Sequence, residues 1–394
     1  MISVEEALAR VLDLAAAPRA EDVPLDQAWG RVLLKPAVSR LTQPPFDASA
    51  MDGYAIRTAD IGQSLRVVGE AAAGHPFAGQ AKPGTTVRIF TGAPVPVGFD
   101  RVIMQENVAR DGDRITIADQ AGGTNIRPAG DDFREGDSIK PGRTLSAADI
   151  GLLAAMNVPV VTVARRPRVA ILAGGDELVP PGAQPGPGQL ISSNDLAIAA
   201  LVRQAGAEPH ILPLARDTED SLRAGFAAAD GADLLVTIGG ASVGDHDLVG
   251  RVAADLGLRQ AFYKVAMRPG KPLMAGHLDG TAMLGLPGNP VSAMVCAIVF
   301  MQPLIAAMQG RSRRMPLRKA RLAMDLAVEG DRRHYLRARL EDGPDMPMIA
   351  PFSSQDSARL SLMAQADALL VRPANDPPRQ AGEIVEYLSL TGED

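Results

Sequence analysis

The chain of 394 residues has one cysteine, Cys296, and five histidines, so it has few of the side chains that bind transition metals. A single cysteine excludes an intramolecular disulfide and any zinc site built from several cysteines. Aromatic residues make up only 4% of the sequence, which argues against the stacking surfaces that bind single-stranded nucleic acid. The formal net charge of −6 argues against a nucleic acid or a membrane surface as an electrostatically bound partner.

Targeting segments and the common nucleotide motifs are missing as well. We find no apolar run of membrane-spanning length, and residues 1–8 predict the start of a helix rather than a signal peptide. The sequence contains no Walker lysine loop, no Gly-x-Gly-x-x-Gly, no His-Glu-x-x-His and no Gly-x-Ser-x-Gly. We therefore expect a cytoplasmic protein, and nothing supports a nicotinamide enzyme or a nucleophilic triad.

Changes in the pattern of residue types along the chain predict four domains. Helical spacing over 3–17 and a helix at 147–156 indicate a linking domain of residues 1–40 and 140–166. Between these segments, residues 41–139 have short β-branched runs separated by glycine and proline turns, which predict a β-rich domain. The strands expected in it are 64–69, 85–90, 101–104 and 114–118.

From residue 167 the pattern becomes β-α-β. Strands that alternate with helices over 167–312 predict a three-layer α/β domain with a parallel sheet. The expected strands are 168–172, 234–238 and 261–266, and the expected helices are 195–205, 218–229, 247–256 and a long apolar helix at 291–308. Residues 313–394 return to short strands, including 320–324 and 368–372, and predict a small C-terminal β-barrel, with a sandwich as the alternative. The predicted fold class is thus multidomain α/β plus β.

Glycine-rich turns between residues 234 and 290 carry most of the functional information. One turn reads Gly239-Gly240-Ala241-Ser242-Val243-Gly244, and another reads Pro287-Gly288-Asn289-Pro290 before a helix. Small residues at such positions let free backbone N–H groups point outward at a helix start and bind an anion. Because ligands of parallel sheets bind beyond the carboxyl ends of the strands, we expect a phosphate or oxyanion pocket here. A purely structural corner is the alternative for each turn.

Charged residues accompany these turns. Asp245 and Asp247, at the expected helix start, are suited to a hydrated Mg²⁺ beside bound phosphate. Helix capping is the alternative for both aspartates. Glu177 lies in a second acid-bearing turn after the first strand of the sheet, where the position favours a site and an exposed acidic loop is the alternative. Lys264, Arg268 and Lys271 fall within eight residues, and the bend between them makes a phosphate clamp reasonable, although solvated surface charge often has this spacing.

A set of motifs carries a specific resemblance. It comprises Phe46-Asp47-Ala48-Ser49-Ala50-Met51-Asp52-Gly53-Tyr54-Ala55, Thr91-Gly92-Ala93-Pro94-Val95-Pro96, the turn from Asn125 to Asp132, Gly175-Asp176-Glu177-Leu178, the Gly239–Asp247 loop, Arg268-Pro269-Gly270-Lys271-Pro272 and Leu286-Pro287-Gly288-Asn289-Pro290-Val291-Ser292. In this order, over roughly residues 45–295, the set resembles the molybdopterin molybdenumtransferases, the family that includes the C-terminal part of gephyrin.

The resemblance implies that molybdate is inserted into adenylylated molybdopterin, with release of AMP and formation of molybdenum cofactor. It also implies a homodimer whose active cleft lies between the α/β domain of one subunit and the β domain of the other. The catalytic residues it implies are Asp52, Thr91, Asp132, Glu177, Asp217, Asp247, Lys264 and Arg268. The substrate- and phosphate-binding residues it implies are Arg127, Gly239, Gly240, Ser242, Gly244, Lys271, Pro287, Gly288, Asn289 and Pro290.

Mg²⁺ is the cofactor that this family likeness implies, with Glu177 and Asp247 as its ligands. Some relatives have lysine where Arg268 stands, and the match at Asp217 is also compatible with a helix cap. The upstream adenylyltransferase and recipient molybdenum enzymes are implied as further partners. Because no cysteine is placed for the chemistry, the sulfur ligands of molybdenum are expected to come from the pterin.

Two other functions stay open at this point. A molybdopterin adenylyltransferase uses a similar α/β domain, but the long N-terminal β region argues against it. A non-catalytic scaffold of the same fold would bind a receptor peptide, and the intact set of acids argues against that reading.

Overall fold

The computed structural model describes residues 1–118, 122–240, 248–311 and 316–391. The chain divides into two compact units, one made of Met1–Glu21 with Ala164–Asp394 and the other made of Asp22–Val163. Helices on a central sheet, a C-terminal barrel and an inserted β-rich region confirm the fold class. The division into four domains at the stated boundaries stays a prediction, and residues 1–21 belong to the larger unit.

A six-stranded mixed sheet forms the centre of the larger unit. In spatial order its strands are Glu208–Ile211, Arg168–Ala173, Leu234–Ile238, Thr281–Leu286, Pro272–Leu278 and Arg259–Lys264. The first four strands are parallel, and the last two are antiparallel to their neighbours. Pro272–Leu278 is therefore the strand that runs against the others, and Arg259–Lys264, the strand expected at 261–266, runs in the direction of the parallel strands but pairs antiparallel with it. This corrects the prediction of a parallel sheet at this side. The physical reason is the two-residue turn Asp279-Gly280, where both φ values are positive, as a tight hairpin requires.

Helices cover both faces of this sheet. Along Arg168–Ala173, Val169 and Ile171 enter one apolar cluster, whereas Ala170 and Leu172 enter the other, because successive side chains of a strand point to opposite faces. The helices on the first face are Val4–Leu12, Asn194–Gln204 and the segment Pro290–Met308, and those on the second are Glu219–Ala228 and Leu248–Asp255.

The apolar segment Pro290–Met308 consists of the α-helices Pro290–Cys296 and Gln302–Met308 joined by a π-helical turn, Ala297–Met301. Pro303 accounts for the turn, because proline has no N–H to donate and its ring clashes with the carbonyl one turn earlier. These 19 residues are long and apolar enough to cross a membrane, so the expectation that no run has this length was wrong. The segment is 83% buried inside the protein, as a core helix is.

A five-stranded barrel forms the C-terminal part of the larger unit. Its strands are Arg318–Leu322, Arg333–Glu341, Met348–Pro351, Ala368–Arg372 and Ile384–Ser389. It closes because Arg333–Glu341 pairs with both Met348–Pro351 and Ala368–Arg372. Tyr335 and Met363, the latter on the short helix Leu360–Ala364, join the apolar cluster of the α/β part. The barrel therefore packs on the α/β part through this cluster and has a separate core of its own.

The smaller unit is built around a second six-stranded sheet. In spatial order its strands are Arg101–Met104, Gly53–Ile56, Thr85–Ile89, Leu65–Ala71, Arg114–Ile117 and Val108–Asp111. Four of these were predicted, and Gly53–Ile56 and Val108–Asp111 were missed. The helix Ala147–Ala155 begins at a capping box formed by Ser146 and Asp149. The remaining short strands of the chain are Ala20–Pro24, Ala37–Val38, Ala48–Ser49, Ile126–Arg127, Ser138–Ile139, Val160–Ala164, Leu178–Val179, Leu190–Ile191 and Met267–Arg268.

Candidate active site

A cleft of about 940 Å³ lies at the carboxyl edge of the parallel strands in the larger unit. The register places Ala173 beside Ile238 and Ile238 beside Leu286, so three strands end at the same level. The turns that follow these strands meet there. Candidate site residues among the lining are Glu177, Asp217, Gly239, Gly240, Pro287, Gly288, Asn289 and Pro290. Ser242, Gly244, Asp245 and Asp247 lie outside the described residues.

Two glycines at this edge have a positive φ and a close neighbour at the position a Cβ would take. Gly239 has a φ of +85°, and a Cβ there would lie 3.0 Å from the carbonyl oxygen of Gly174. Gly175 has a φ of +149°, and a Cβ there would lie 2.5 Å from Oε2 of Glu177. The missing Cβ at Gly175 thus leaves the space that the Glu177 carboxylate occupies at the cleft.

The sheet already uses several of the backbone N–H groups in these turns. The N–H of Gly174 donates to Ile238, that of Gly175 to Ala215 and that of Gly239 to Leu286, at 3.1–3.2 Å. In the described part of the three turns, the N–H groups without a partner in the protein are those of Glu177, Gly240, Gly288 and Asn289. All four residues line the cleft, so these amides are available to an anion.

The helix that starts at Pro290 offers fewer free donors than the sequence suggested. The N–H of Val291 donates to the carbonyl oxygen of Ser357 at 3.1 Å. The expectation that the free N–H groups of the first turn face outward is therefore wrong for Val291. The barrel loop satisfies one of them, and its Ala358 lines the cleft.

Acidic side chains lie at one wall of the cleft. Glu177 and Asp217 both line it, and Asp217 and Asp176 each accept the other's backbone N–H at 3.3 Å. Thr218, not Asp217, caps the helix Glu219–Ala228, because the Thr218 side chain accepts the N–H of Ser221. The carboxylate of Asp217 is thus not needed as a helix cap. No cluster of three or more metal-binding side chains occurs within residues 1–118, 122–240, 248–311 and 316–391.

None of the three predicted basic residues is among the described residues that line the cleft. Lys264 ends the edge strand Arg259–Lys264, Arg268 is on the short strand Met267–Arg268, and Lys271 is exposed. Pro272, next to Lys271, does line the cleft.

Sequence reasoning missed several lining residues. Arg251 is one, and its guanidinium pairs with Glu219 at 2.8 Å. Asn194 is another, and its side-chain amide donates to the carbonyl oxygen of Gly288 at 2.7 Å, which joins two walls of the cleft. The polar run Ser192-Ser193-Asn194, directly before a predicted helix, could have indicated Asn194 as a residue at a helix start near the cleft.

The smaller unit joins the three motif loops that looked separate in the sequence. The strand Ala48–Ser49 pairs with Ile126–Arg127, and Ala48 also bridges Pro94. Asp52 accepts hydrogen bonds from the N–H and the hydroxyl of Thr91, both at 2.8 Å. The backbone N–H of Thr91 and then its hydroxyl lower the pKa of Asp52, so this exposed carboxyl is ionised well below neutral pH.

The other two candidates of this unit lie in the same loop group. Arg127 stands opposite Ala48 in the ladder, and the N–H of Asp132 donates to the carbonyl oxygen of Gln43 at 3.1 Å. Both side chains are exposed. The unit therefore presents two acids, a hydroxyl and a guanidinium on connected loops.

Three family models match the chain in succession. Residues 2–157 match the MoeA N-terminal region (domain I and II), residues 170–307 match a probable molybdopterin binding domain, and residues 319–390 match the MoeA C-terminal region (domain IV).

Curated relatives match over most of their length. A molybdopterin molybdenumtransferase of Nostoc sp. is 38% identical over 94% of this chain and 88% of its own. Molybdopterin molybdenumtransferase 2 of Mycobacterium tuberculosis is 35% identical over 99% of this chain and all of its own. A crystal structure of a molybdopterin biosynthesis protein from Pyrococcus horikoshii covers both chains completely, with a TM-score of 0.86 and 30% identity.

Proposed function

The chain belongs to the molybdopterin molybdenumtransferase family, and we propose that it inserts molybdenum from molybdate into adenylylated molybdopterin with release of AMP. As an enzyme of this family it acts in molybdenum cofactor biosynthesis, with molybdopterin as substrate. The adenylylated form of the substrate, molybdate and the release of AMP are the proposed part. The observation that supports it is the cleft where unpartnered amides and two carboxylates meet.

The phosphates of the substrate are proposed to lie on the free N–H groups of Gly240, Gly288 and Asn289. These amides are fixed by the sheet edge and the helix start, so they need not reorganise when the anion binds. Lys264, Arg268 and Lys271 are proposed to add positive charge beside the cleft. Arginine at 268 favours a forked, two-point grip on a phosphate oxygen pair, whereas lysine acts as a point charge.

The residues at the cleft are compatible with Mg²⁺. Carboxylate oxygens are the ligands this ion takes from proteins, together with phosphate oxygens and water. The space that Gly175 leaves for the Glu177 carboxylate supports Glu177 as a ligand, and Asp217 is a second carboxylate at the same wall. Asp247 remains the proposed partner of Glu177. When bound, the ion would withdraw charge from the phosphoanhydride and so ease its cleavage.

Asp52, Thr91, Arg127 and Asp132 are proposed to act from the β domain of a second subunit, in a homodimer in the cytoplasm. The family resemblance is the support for this arrangement. In that position the Asp52 carboxylate, whose pKa is lowered further by Thr91, would hold a proton donor or a hydrated cation of the substrate complex. The upstream adenylyltransferase and the recipient molybdenum enzymes are the proposed partners.

The test is molybdate-dependent release of AMP from adenylylated molybdopterin by the purified full-length chain. Glu177→Gln should lower turnover at least tenfold at 1 mM Mg²⁺ and recover partly at higher Mg²⁺, because it removes the charge of one proposed ligand but not its oxygen. Asp220→Asn, an exposed acid in the first turn of a nearby helix, is the matched control and should match the wild type. AMP release by the wild type that does not depend on molybdate would overturn the proposal.

An adenylyltransferase is distinguished by a second incubation. Molybdopterin and Mg-ATP without molybdate should give no adenylylated pterin if the proposal is correct. Formation of that product would assign the chain to the earlier reaction instead.

A further inference from the structure

Arg251 is the one positively charged side chain among the described residues that line the cleft. The charged residues that line the cleft together with Arg251 are the acids Glu177 and Asp217. The basic residues that the family resemblance assigns to the substrate are not part of this described lining. Because the substrate proposed for the cleft is an anion, Arg251 is the side chain that this substrate would attract.

The start of the helix that carries Arg251 packs on the glycine turn of the cleft. Arg251 lies on the helix Leu248–Asp255, and Val249 near the start of this helix contacts Gly240. A Cβ at Gly240 would collide with Cγ2 of Val249, and the φ of +68° at Gly240 also favours glycine. Gly240, Val249 and Arg251 all line the cleft. The free N–H of Gly240 and the guanidinium of Arg251 therefore border the same space.

Glu219 holds this guanidinium from the neighbouring helix. Nη2 of Arg251 donates to Oε1 of Glu219 at 2.8 Å. Glu219 is the first residue of the helix Glu219–Ala228, and Asp217, two residues earlier, lines the cleft. An arginine side chain has five N–H donors. Within the residues that the structure describes, the bond to Glu219 is the hydrogen bond of the Arg251 guanidinium, so further donors are available to a ligand.

A second ion pair joins the same two helices one turn further from the cleft. Arg223 pairs with Asp255 at 3.2 Å, and these residues follow Glu219 and Arg251 by four positions each. The two pairs are equivalent on the helix surfaces, because residues four apart lie on the same face of a helix. Arg223 is not among the described lining residues of the cleft. A role in joining the helices is therefore common to both arginines, whereas contact with the cleft distinguishes Arg251.

We propose that Arg251 is a further substrate-binding residue of this site. Its guanidinium, oriented by Glu219, donates to a phosphate oxygen of the anionic substrate beside the N–H of Gly240. Charge-assisted bonds from arginine to phosphate are stronger than those between neutral groups, and the planar fork gives them direction. This inference rests on the anionic substrate of the proposed function.

The test measures KM and kcat of the full-length chain for adenylylated molybdopterin by molybdate-dependent AMP release. Arg251→Gln should raise KM about tenfold, the size expected for one charge-assisted hydrogen bond. The value of kcat should stay nearly unchanged, because the guanidinium binds the substrate and the transition state alike. Arg251→Lys keeps the charge without the fork, so its KM should lie between those of Arg251→Gln and the wild type. Arg223→Gln breaks the equivalent ion pair and should keep the wild-type KM.

The outcomes separate this inference from the proposed function. Equal KM values in Arg251→Gln and Arg223→Gln, beside normal AMP release by the wild type, would overturn the binding role alone. If the wild type releases no AMP, the proposed function fails, and calorimetric titration with inorganic pyrophosphate decides the role of Arg251. Pyrophosphate should then bind Arg251→Gln about tenfold more weakly than Arg223→Gln. Equal affinity of the two variants, or no binding by the wild type, would contradict the inference.

Discussion

Replacing Asp376 by asparagine tests whether buried charges hold the C-terminal barrel together. Asp376 is 4% exposed and pairs with Arg372, which is 2% exposed. It also accepts a hydrogen bond from Nη2 of Arg379 at 2.6 Å. Removing one partner of a buried pair leaves the other charge uncompensated, which costs about 3–5 kcal/mol in general.

The geometry places Asp376→Asn at the lower end of that range. Arg372 keeps hydrogen bonds to the carbonyl oxygens of Ala327 and Pro377, at 3.2 and 2.9 Å. Arg379 is one-third exposed and keeps its ion pair with Glu383 at 3.1 Å, so the loss of its contact with Asp376 costs little stability. We therefore expect a loss of about 3 kcal/mol in the free energy of unfolding. For a unit of this size, that corresponds to a fall in Tm of roughly 6–12 °C.

Urea titration followed by circular dichroism, supported by calorimetry, measures the loss. Burial alone would raise the pKa of Asp376, but hydrogen bonds from Arg379 and Arg372 outweigh it, so the pKa is lowered in the folded state. The stabilisation is thus present above the unfolded pKa of about 3.9 and is lost as pH falls through the folded value. The difference in the free energy of unfolding between the wild type and Asp376→Asn should therefore become smaller below about pH 4.

The replacement Arg372→Met with Asp376→Leu should recover most of the loss, because an apolar pair leaves no buried charge. Glu383→Gln, in an exposed pair, should leave the free energy of unfolding nearly unchanged. An Asp376→Asn variant within about 1 kcal/mol of the wild type would refute the reasoning, since the guanidinium of Arg372 would then have found another source of compensation.

Three further predictions concern the candidate site and its support. Gly175→Ala should displace the Glu177 carboxylate and lower molybdate-dependent AMP release. The control Gly182→Ala, at a positive-φ position with open space around it, should leave turnover unchanged. Equal turnover of the two variants would show that the space at Gly175 does not position Glu177. Thr91→Val should raise the pKa of Asp52 in carboxyl NMR titrations, although not to the ordinary value, because the backbone N–H remains, whereas Thr91→Ser should leave it lowered. Burial raises the pKa of the Cys296 thiol. Folded protein at pH 8 should therefore react with a thiol reagent only as fast as the core opens. Immediate reaction would show that the reagent reaches Cys296 in the folded core.

The elements that the sequence predicted well are those with a simple local pattern. The apolar run Leu234–Ile238 is buried at every position and was placed correctly. Arg333–Glu341 was missed because charged residues interrupt its apolar ones. Arg337 in this strand is 1% exposed, and its charge is accommodated by Gln355 and the carbonyl oxygen of Asp356. Those partners come from a loop some twenty residues away, so no local pattern could reveal that an arginine belongs inside.

The hairpin at Asp279-Gly280 shows a different kind of miss. Asp-Gly between two apolar runs is a strong signal for a two-residue turn, and it was present in the sequence. Expecting alternating strands and helices favoured a parallel sheet, so Pro272–Leu278 and Thr281–Leu286 were overlooked. The error did not affect the site, because Thr281–Leu286 still runs parallel to Leu234–Ile238 and delivers Pro287 to the cleft.

Glycine content alone overstates how many amides a turn offers to an anion. At the carboxyl edge of this sheet, the parallel ladder extends one residue beyond the strands and uses the N–H groups of Gly174, Gly175 and Gly239. Which amides remain depends on strand register and on a barrel loop that reaches Val291, and neither is visible locally. The free donors at Gly240, Gly288 and Asn289 stand where the ladder has ended and the helix has not yet begun. An anion site of this type therefore depends on the gap between the hydrogen bonds of the sheet and those of the helix. Substitutions that shift the strand register should affect anion binding as strongly as substitutions in the turns themselves.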